Sequence, residues 1–132
     1  MNDRPFLDTN VLVYASLQND PRAEIARGLL LAGGVFSVHI LNEFVAVARR
    51  KLQKNWKEIR QALASFRTLC PLPVPITVET HDVAIEIAER YRYHIYDSLV
   101  IAAAIQAHSK TLYSEDLRDG QTIRGLTICN PF

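Results

Sequence analysis

The sequence has 132 residues, which is enough for one domain and too few for a second independent core. Its content of 48% hydrophobic and 22% charged residues is that of a globular protein and excludes a disordered or fibrous chain. Fifteen Lys and Arg against fourteen Asp and Glu leave a net charge of +1, which excludes a uniformly basic nucleic-acid-binding surface but allows local patches. We therefore expect one domain over residues 1–132.

The two cysteines, Cys70 and Cys129, form neither a disulfide framework nor a zinc motif. This usage is typical of a reducing compartment and predicts a cytoplasmic protein. The uncharged runs from Gly28 to Asn42 and from Ser98 to Ser109 are too short and too interrupted to span a bilayer. We therefore expect no association with a membrane.

Short apolar runs alternate with segments of helical spacing along the chain, which predicts an α/β fold. The predicted strands are Pro5–Leu7, Val35–Ser37, Pro73–Val78, Thr111–Tyr113 and Leu126–Cys129. The predicted helices are Val11–Leu17, Pro21–Leu31, Val38–Lys51, Trp56–Leu69, Thr80–Tyr91 and Asp97–His108. Together they indicate three layers, with a central, mainly parallel sheet of about five strands flanked by helices.

Several predicted helix boundaries carry local signals. Pro21 occupies a first-turn position, and Asn55 with Glu58 has the spacing of a capping box. Thr80 is a candidate cap for the fifth helix. The segment Ser98–Ala107 is apolar on nearly all sides and is predicted to be the most buried helix.

Four acidic residues follow predicted strands or lie at the margins of predicted helices. Asp8 follows the first strand, Glu43 borders the apolar face of the third helix, Asp97 opens the sixth helix, and Asp116 follows the strand Thr111–Tyr113. All four can converge on the carboxyl edge of a parallel sheet, where open α/β folds place their sites.

Each acid also has an ordinary structural explanation when it is taken alone. Asp8 and Asp97 can simply cap helices, and Glu43 can reach solvent or pair with Arg50. Asp116 can belong to a polar turn, which is also how we interpret the neighbouring Glu115. These alternatives stay open at the level of single residues.

Taken together, the acids predict a divalent metal ion. Two unit charges about 4 Å apart repel by about 4 kcal/mol at an effective dielectric of about 20, so four gathered carboxylates need a cation or protonation. Oxygen ligands favour Mg²⁺ or Mn²⁺ over zinc. The four histidines have no zinc-site spacing, and we interpret them as surface or satisfied residues.

Four segments containing these acids resemble the successive motifs of PIN-domain proteins, and in particular the toxin ribonucleases of VapBC-type toxin–antitoxin pairs. The likeness extends from about Phe6 to the C-terminus. The four segments are Phe6–Ala15 with its Asp-Thr-Asn, Asn42-Glu43-Phe44, Tyr96–Ala104 with its Tyr-Asp-Ser, and Tyr113–Leu117.

The resemblance implies a Mg²⁺- or Mn²⁺-dependent endoribonuclease, which hydrolyses RNA with a metal-activated water and leaves a 5′-phosphate and a 3′-hydroxyl. The implied catalytic and metal-binding acids are Asp8, Glu43, Asp97 and Asp116. The implied supporting groups are Thr9, Asn10 and Ser114, with Asp119 as a further acid that competes with Asp116 for the role of last ligand.

The same resemblance implies an antitoxin partner that wraps the protein, and a homodimer. The apolar faces around Val11–Tyr14 and around Ile25, Leu29 and Leu30 are candidates for the antitoxin groove, although core packing explains them equally. Trp56 is predicted to pack in the core or as a hydrophobic staple rather than to stack on a base.

The RNA substrate requires positive charge away from the acids. The segment Arg49–Arg60 has six basic residues and one acid. It is either an RNA-binding segment or a solvated helix face. The candidate RNA-binding residues are Arg49, Arg50, Lys51 and Lys54.

Two other functions compete with the nuclease. A receiver-like Mg²⁺-binding signalling domain is also small, α/β and acidic, but it requires paired acids near the first strand and a lysine after a late strand. Here Asp8 stands alone, and Lys110 precedes its strand. A non-catalytic module that binds only antitoxin and operator is the second alternative.

Overall fold

A computed structural model describes residues 3–132 of the chain. The helices are α1 (Thr9–Ala15), α2 (Pro21–Leu31), α3 (Val38–Arg50), α4 (Trp56–Leu69), α5 (Val78–Tyr91) and α6 (Ile95–Gln106). The strands are β1 (Phe6–Leu7), β2 (Thr111–Tyr113), β3 (Thr122–Ile123) and β4 (Leu126–Cys129). None of the helices in these residues is long and apolar enough to cross a membrane.

The strands form one sheet in the order β1-β2-β4-β3, flanked by helices. Strand β2 pairs in parallel with both β1 and β4, and only the short β3 runs antiparallel to its neighbour. The predicted α/β class with a mainly parallel sheet is therefore confirmed. Parallel pairing matters for function because it brings the carboxyl ends of β1 and β2 to the same edge.

Two predicted strands are reduced to single bridges. Val35 bridges Phe6, and Ser37 bridges Val74, both in parallel. The prediction of a strand over Pro73–Val78 is wrong beyond Val74. Pro73 and Pro75 lack backbone N–H donors on both sides of that residue, so a ladder cannot extend from it.

Strand β3 was not predicted. It forms a hairpin with β4 through Arg124 and Gly125, which both have positive φ angles of 49° and 83°. Positive φ at both central residues is the conformation of the type I′ turn that joins tightly twisted strands. A two-residue strand leaves no measurable alternation of polar and apolar side chains, so the hairpin gives little sequence signal.

The helix termini agree with the local signals at α2 and α4 and differ at α5. Pro21 opens α2, and Asn55 with Glu58 forms the predicted capping box of α4. Helix α5 begins two residues before its predicted start because Thr77, not Thr80, is its N-cap, and the Thr80 hydroxyl completes the capping box.

Helix α6 is the buried helix that the sequence predicts. It begins at Ile95 with His94 as N-cap, so Asp97 lies in its first turn and is not the cap residue. Five consecutive residues, Val100–Ala104, are buried in the core. On α3, Phe44 faces the same core and meets Phe66 of α4 edge to face, with 4.9 Å between ring centroids.

A close approach at Gly34 fixes how the chain after α2 passes β1. A Cβ added to Gly34 would lie 2.7 Å from Leu7 Cδ1 and 3.0 Å from the Pro5 carbonyl oxygen. Because Leu7 is fully buried, its side chain cannot move away freely.

We therefore expect Gly34→Ala to lower the free energy of unfolding by about 1–3 kcal/mol through overpacking. Gly28→Ala is the matched control, because no atom lies within 4 Å of its added Cβ in the exposed middle of α2. That variant should be as stable as the wild type or up to about 1 kcal/mol more stable. Urea unfolding of the two variants measures the difference, and equal stabilities would contradict the close approach.

Candidate active site

The site is built around Asp8, which the register of β1 and β2 places beside Ser114. Leu7 pairs with Tyr113, and the Asp8 N–H donates to the Tyr113 carbonyl at 3.0 Å, so the next residues of both strands lie side by side. The Asp8 carboxylate then accepts the Ser114 hydroxyl at 2.6 Å and the Thr9 N–H at 2.7 Å. Asp8 thus caps α1, as one alternative proposed, and also lies in the polar cluster.

Burial changes the protonation of Asp8. Only 6% of the residue is exposed, and loss of hydration raises the pKa of its carboxyl to about 6. The hydrogen bonds from Ser114 and Thr9 act in the opposite direction, and the charges of Glu43 and Asp116 raise the pKa further. Near neutral pH, the buried and ionised carboxylate of Asp8 therefore lowers the free energy of unfolding.

Asp116 is held by Asn10 and Ser114, two residues that the resemblance implies as supporting groups. Asn10 Nδ2 donates to Asp116 Oδ2 at 3.3 Å, and Asn10 Oδ1 accepts the Glu115 N–H at 3.4 Å. The Ser114 hydroxyl oxygen accepts the N–H groups of Asp116 and Leu117 at 3.2 and 3.3 Å. Because Ser114 also donates to Asp8, one hydroxyl ties the two acidic segments together.

Glu43 faces the same cluster from α3. Its Oε1 accepts the Thr9 hydroxyl at 2.8 Å and lies 3.3 Å from His39 Nε2. Within residues 3–132, Glu43 does not form an ion pair with Arg50, which was one of its ordinary structural explanations. His39 was interpreted as a surface or satisfied residue, but its Nε2 is buried and, although it lies near Glu43 Oε1, it makes no hydrogen bond within residues 3–132.

Asp97 completes the set of acids from the first turn of α6. No hydrogen bond within the described residues 3–132 involves its carboxylate. Burial raises the pKa of Asp97, and the charge of Asp116 raises it further, whereas His94 and His39 lower it. The charge of Asp116 thus acts on the Asp97 carboxyl.

A network beside Asp116 involves residues that the sequence did not single out. Glu115 accepts a hydrogen bond from the Tyr14 hydroxyl, and its Oε1 lies 3.4 Å from the Arg22 guanidinium. The Arg22 guanidinium also lies 3.9 Å from the centre of the Tyr14 ring and bonds Asp20 at 2.7 Å. Glu115 is therefore an anchored residue and more than part of a polar turn.

Two residues of this network have shifted pKa values. Burial, followed by the hydrogen bond to Glu115, raises the pKa of Tyr14 to about 12. The hydrogen bonds from Arg22 lower the pKa of Asp20 to about 2. Tyr14 and Glu115 are 101 residues apart in sequence, so no local pattern could have predicted their contact.

The basic candidates divide into two groups. Arg50 and Lys51 line a cavity of about 360 Å³ together with Glu43, Asn10 and Asp116. This mixed-charge cavity brings the end of α3 next to the acids.

Arg49 and Lys54 do not line that cavity. Arg49 donates to the Lys54 carbonyl at 3.1 Å, and its guanidinium lies 4.8 Å from the centre of the Trp56 ring. Trp56 is 52% exposed, so its predicted core position is wrong. Asp119 accepts the Asn130 N–H at 2.8 Å and has no hydrogen bond to the four acids within residues 3–132.

The donor set fits a hard divalent cation. The four acids offer only oxygen ligands, and their charges raise the pKa values of Asp8 and Asp97, a repulsion that a cation relieves. In the present side-chain conformations, no three His, Cys, Asp or Glu residues within 3–132 form a group that could hold one ion. Binding therefore requires side-chain rotation, for which the partly exposed Glu43 has room.

Comparison with known families identifies the fold. The family model for the PIN domain matches residues 6–120 of the chain. The chain belongs to the PIN domain family. This confirms the resemblance seen in the sequence and removes the receiver-like alternative. No curated protein matches the sequence of this PIN domain.

Solved structures of low sequence identity share the fold. A toxin–antitoxin complex from Klebsiella pneumoniae superposes with a TM-score of 0.73 at 16% identity, covering 97% of this chain and 98% of that one. The Mycobacterium tuberculosis toxin VapC20, described as cleaving the sarcin–ricin loop, gives 0.69 at 19% identity and covers 84% and 88%. VapBC2 from Rickettsia felis, bound to a promoter DNA fragment, gives 0.67 at 19% identity and covers 93% and 95%.

The pKa of Asp8 in this PIN domain predicts a pH-dependent stability. The folded-state pKa of about 6 lies above the ordinary carboxyl pKa of 3.8, so the wild type loses stability as the pH rises from about 4 to above 6. The full shift corresponds to about 3 kcal/mol. Asp8→Asn has no such proton, so its stability relative to the wild type should rise by about 2–3 kcal/mol between pH 4 and pH 7.5 in EDTA.

Chemical unfolding at each pH measures this difference. Hydrogen bonds that the amide of the Asp8→Asn variant loses or gains cancel in the comparison, because they do not change with pH. Asp82→Asn, on the exposed surface of α5, is the control and should show no trend. A constant offset between Asp8→Asn and the wild type at all pH values would contradict the raised pKa.

Proposed function

We propose that the chain, folded as one PIN-like domain over residues 1–132, is a metal-dependent endoribonuclease and the toxin of a type II toxin–antitoxin pair. The observation that carries this proposal is that Ser114 links Asp8 to the Asp116 segment at the ends of two parallel strands in a PIN domain, with Glu43 bound to Thr9 beside them and the charge of Asp116 acting on Asp97. The toxins among its structural neighbours support the proposal.

The metal ion in this proposal is Mg²⁺ or Mn²⁺, held by Asp8, Asp97, Asp116 and Glu43. When bound, such an ion lowers the pKa of a coordinated water to generate a nucleophile and neutralises charge on the scissile phosphate. Thr9 and Ser114 keep the Asp8 oxygens oriented, because each donates one hydrogen bond to them. Asn10 orients Asp116 in the same way.

Glu43 has a second role in the proposal. Its Oε1 is engaged by Thr9 and lies near His39, so the Oε2 atom is the one left to orient the attacking water. Neither oxygen becomes covalently attached to RNA.

Arg50 and Lys51 supply the positive charge that an acidic site needs to hold RNA. They line the same cavity as Glu43 and Asp116, so a phosphate bound by them lies close to the carboxylates. Arg49, which the sequence grouped with them, donates to the Lys54 backbone carbonyl and lies over the Trp56 ring instead, and the Lys54 side chain does not line this cavity. We therefore assign the RNA contacts to Arg50 and Lys51.

The proposal includes an antitoxin partner, a homodimer and a cytoplasmic location. The two toxin–antitoxin complexes among the structural neighbours support the antitoxin. Val11, Leu12 and Leu30 are core residues, so the antitoxin does not dock on them. Ile25, which was among the predicted groove residues, is exposed on α2 together with Leu31, and these two side chains offer the apolar contact. Free thiols at Cys70 and Cys129 support the cytoplasm.

We expect the purified protein, freed of any partner, to cleave RNA when Mg²⁺ or Mn²⁺ is added and to stop when EDTA is added. Asp97→Asn and Asp116→Asn should lower the cleavage rate by about 100-fold or more, because each removes a charged ligand. Asp119→Asn is the matched control, since an amide oxygen still accepts the Asn130 N–H, and its rate should stay within about threefold of the wild type. Gel analysis of end-labelled RNA measures all four proteins.

Full cleavage by Asp97→Asn would contradict the proposed site. A large loss in Asp119→Asn with normal activity of Asp116→Asn would exchange the roles of these two acids. A folded wild-type protein that cleaves no RNA with either metal would instead favour the non-catalytic antitoxin and operator module.

The assignment of the basic residues gives a second test. Arg50→Gln and Lys51→Gln should each raise KM for RNA about 3- to 10-fold and reduce the salt dependence of binding, because each removes a phosphate contact. Arg49→Gln removes the same charge from the same helix but leaves the cavity intact, so its KM should change less than about twofold. Equal effects of all three substitutions would indicate only a diffuse electrostatic attraction.

A further inference from the structure

An aromatic row lies beside the acids and takes no part in the roles assigned above. It consists of His39, Tyr96 and His94. The His39 and Tyr96 rings are stacked at 5.6 Å between centroids with only 13° between their planes, and His94 lies 5.4 Å from Tyr96 at 31°. Tyr96 is 56% exposed, which is unusual for a large ring next to a charged site.

Helix α3 links this row to the acids and to the basic end of the cavity. His39, Glu43 and Arg50 are spaced by four and seven residues, so they lie along one face of the helix. Glu43 is about 6 Å along the axis from His39 and about 10 Å from Arg50. The acid therefore lies between the aromatic row and the cationic end.

The aromatic row, the acid and the cationic end follow one another along α3. A base, the backbone beside it and the next phosphates follow one another in the same way along a single RNA strand. A phosphate and a base one or two nucleotides away from it are separated by a distance of the same order as this face. The row is also pre-oriented, because His39 supports one side of the Tyr96 ring and the Tyr96 N–H is tied to His94 Nδ1 at 3.2 Å. A ring held in place loses little conformational freedom when a base stacks on it.

We propose that the aromatic row is a nucleobase-binding subsite, on which an unpaired base of the RNA stacks while the neighbouring backbone passes Glu43 toward Arg50 and Lys51. This inference rests on the proposed nuclease function and adds a base-binding position to it. A base inside a duplex is covered on both faces by its neighbours and cannot stack on a protein ring, so the row accepts only an unpaired base.

The test uses the full-length Asp116→Asn protein, which binds RNA without cutting it, and a single-stranded oligoribonucleotide containing 2-aminopurine. Stacking on the row should quench the 2-aminopurine fluorescence. Adding Tyr96→Ala should abolish the quenching and weaken binding about 5- to 50-fold, as expected for the loss of one stacked base. Adding Tyr96→Phe keeps the ring and should preserve both signals.

Two controls separate stacking from general attraction. Ile85→Ala removes an equally exposed apolar side chain from α5, which has none of the site acids, and should change neither signal. The same oligonucleotide annealed to its complement should bind Tyr96→Ala and its parent equally. Arg50→Gln should weaken binding of both the single strand and the duplex.

Unchanged quenching and affinity in Tyr96→Ala would overturn the subsite. The same holds if Tyr96→Ala changes only the oligomeric state in size-exclusion chromatography, which would assign the row to a protein contact. Failure of the nuclease proposal looks different: the wild type cleaves no RNA with Mg²⁺ or Mn²⁺, whereas Tyr96-dependent quenching persists and supports an RNA-binding row on its own.

Discussion

One buried carboxylate, Asp8, holds together the parts of this structure that matter for function. It sits where β1 ends and α1 begins, it satisfies the first free N–H of that helix, and it binds the hydroxyl of Ser114 at the end of β2. Removing so much water from a carboxylate is costly, and neighbouring negative charges add to that cost. The fold tolerates this cost because the same residue aligns two strands, one helix and the loop that contains Asp116.

The near-neutral total charge of the chain conceals a strong separation of charge along a single helix. Glu43 lies midway along α3, and the basic residues Arg50 and Lys51 lie at its end. Both kinds of charge line one cavity. Such an arrangement attracts a polyanion to one end of the cavity and a cation to the other, which a uniformly basic surface cannot do.

Sequence reasoning predicted the parts of the site that depend on strand ends. The apolar runs Phe6–Leu7 and Thr111–Tyr113 were clear, so Asp8 and Asp116 could be expected at one sheet edge, whereas the role of Ser114 came from the family resemblance and its contact with Asp8 from the structure. The helices were predicted to within about two residues because their caps are local. In contrast, Pro73–Val78 was mistaken for a strand because apolar composition was given more weight than its missing N–H donors.

Contacts between segments far apart in sequence could not be predicted. Glu115 looked like a turn residue because its partners, Tyr14 and Arg22, are contributed by two helices from the other end of the chain. His39 was passed over for a different reason. Its spacing of four residues before Glu43 was present in the sequence, but a single histidine on an amphipathic helix gives no sign that its Nε2 is buried.

Residues 130 and 132 reach back to the region beside Asp116. The Phe132 ring packs edge-on against Tyr14 at 4.9 Å, and Asn130 links Phe132 to Asp119 through two hydrogen bonds. Tyr14 in turn holds Glu115, the neighbour of Asp116. The segment that ends at Phe132 therefore supports, through Tyr14 and Glu115, the loop that positions Asp116, although more than a hundred residues separate Tyr14 from that loop.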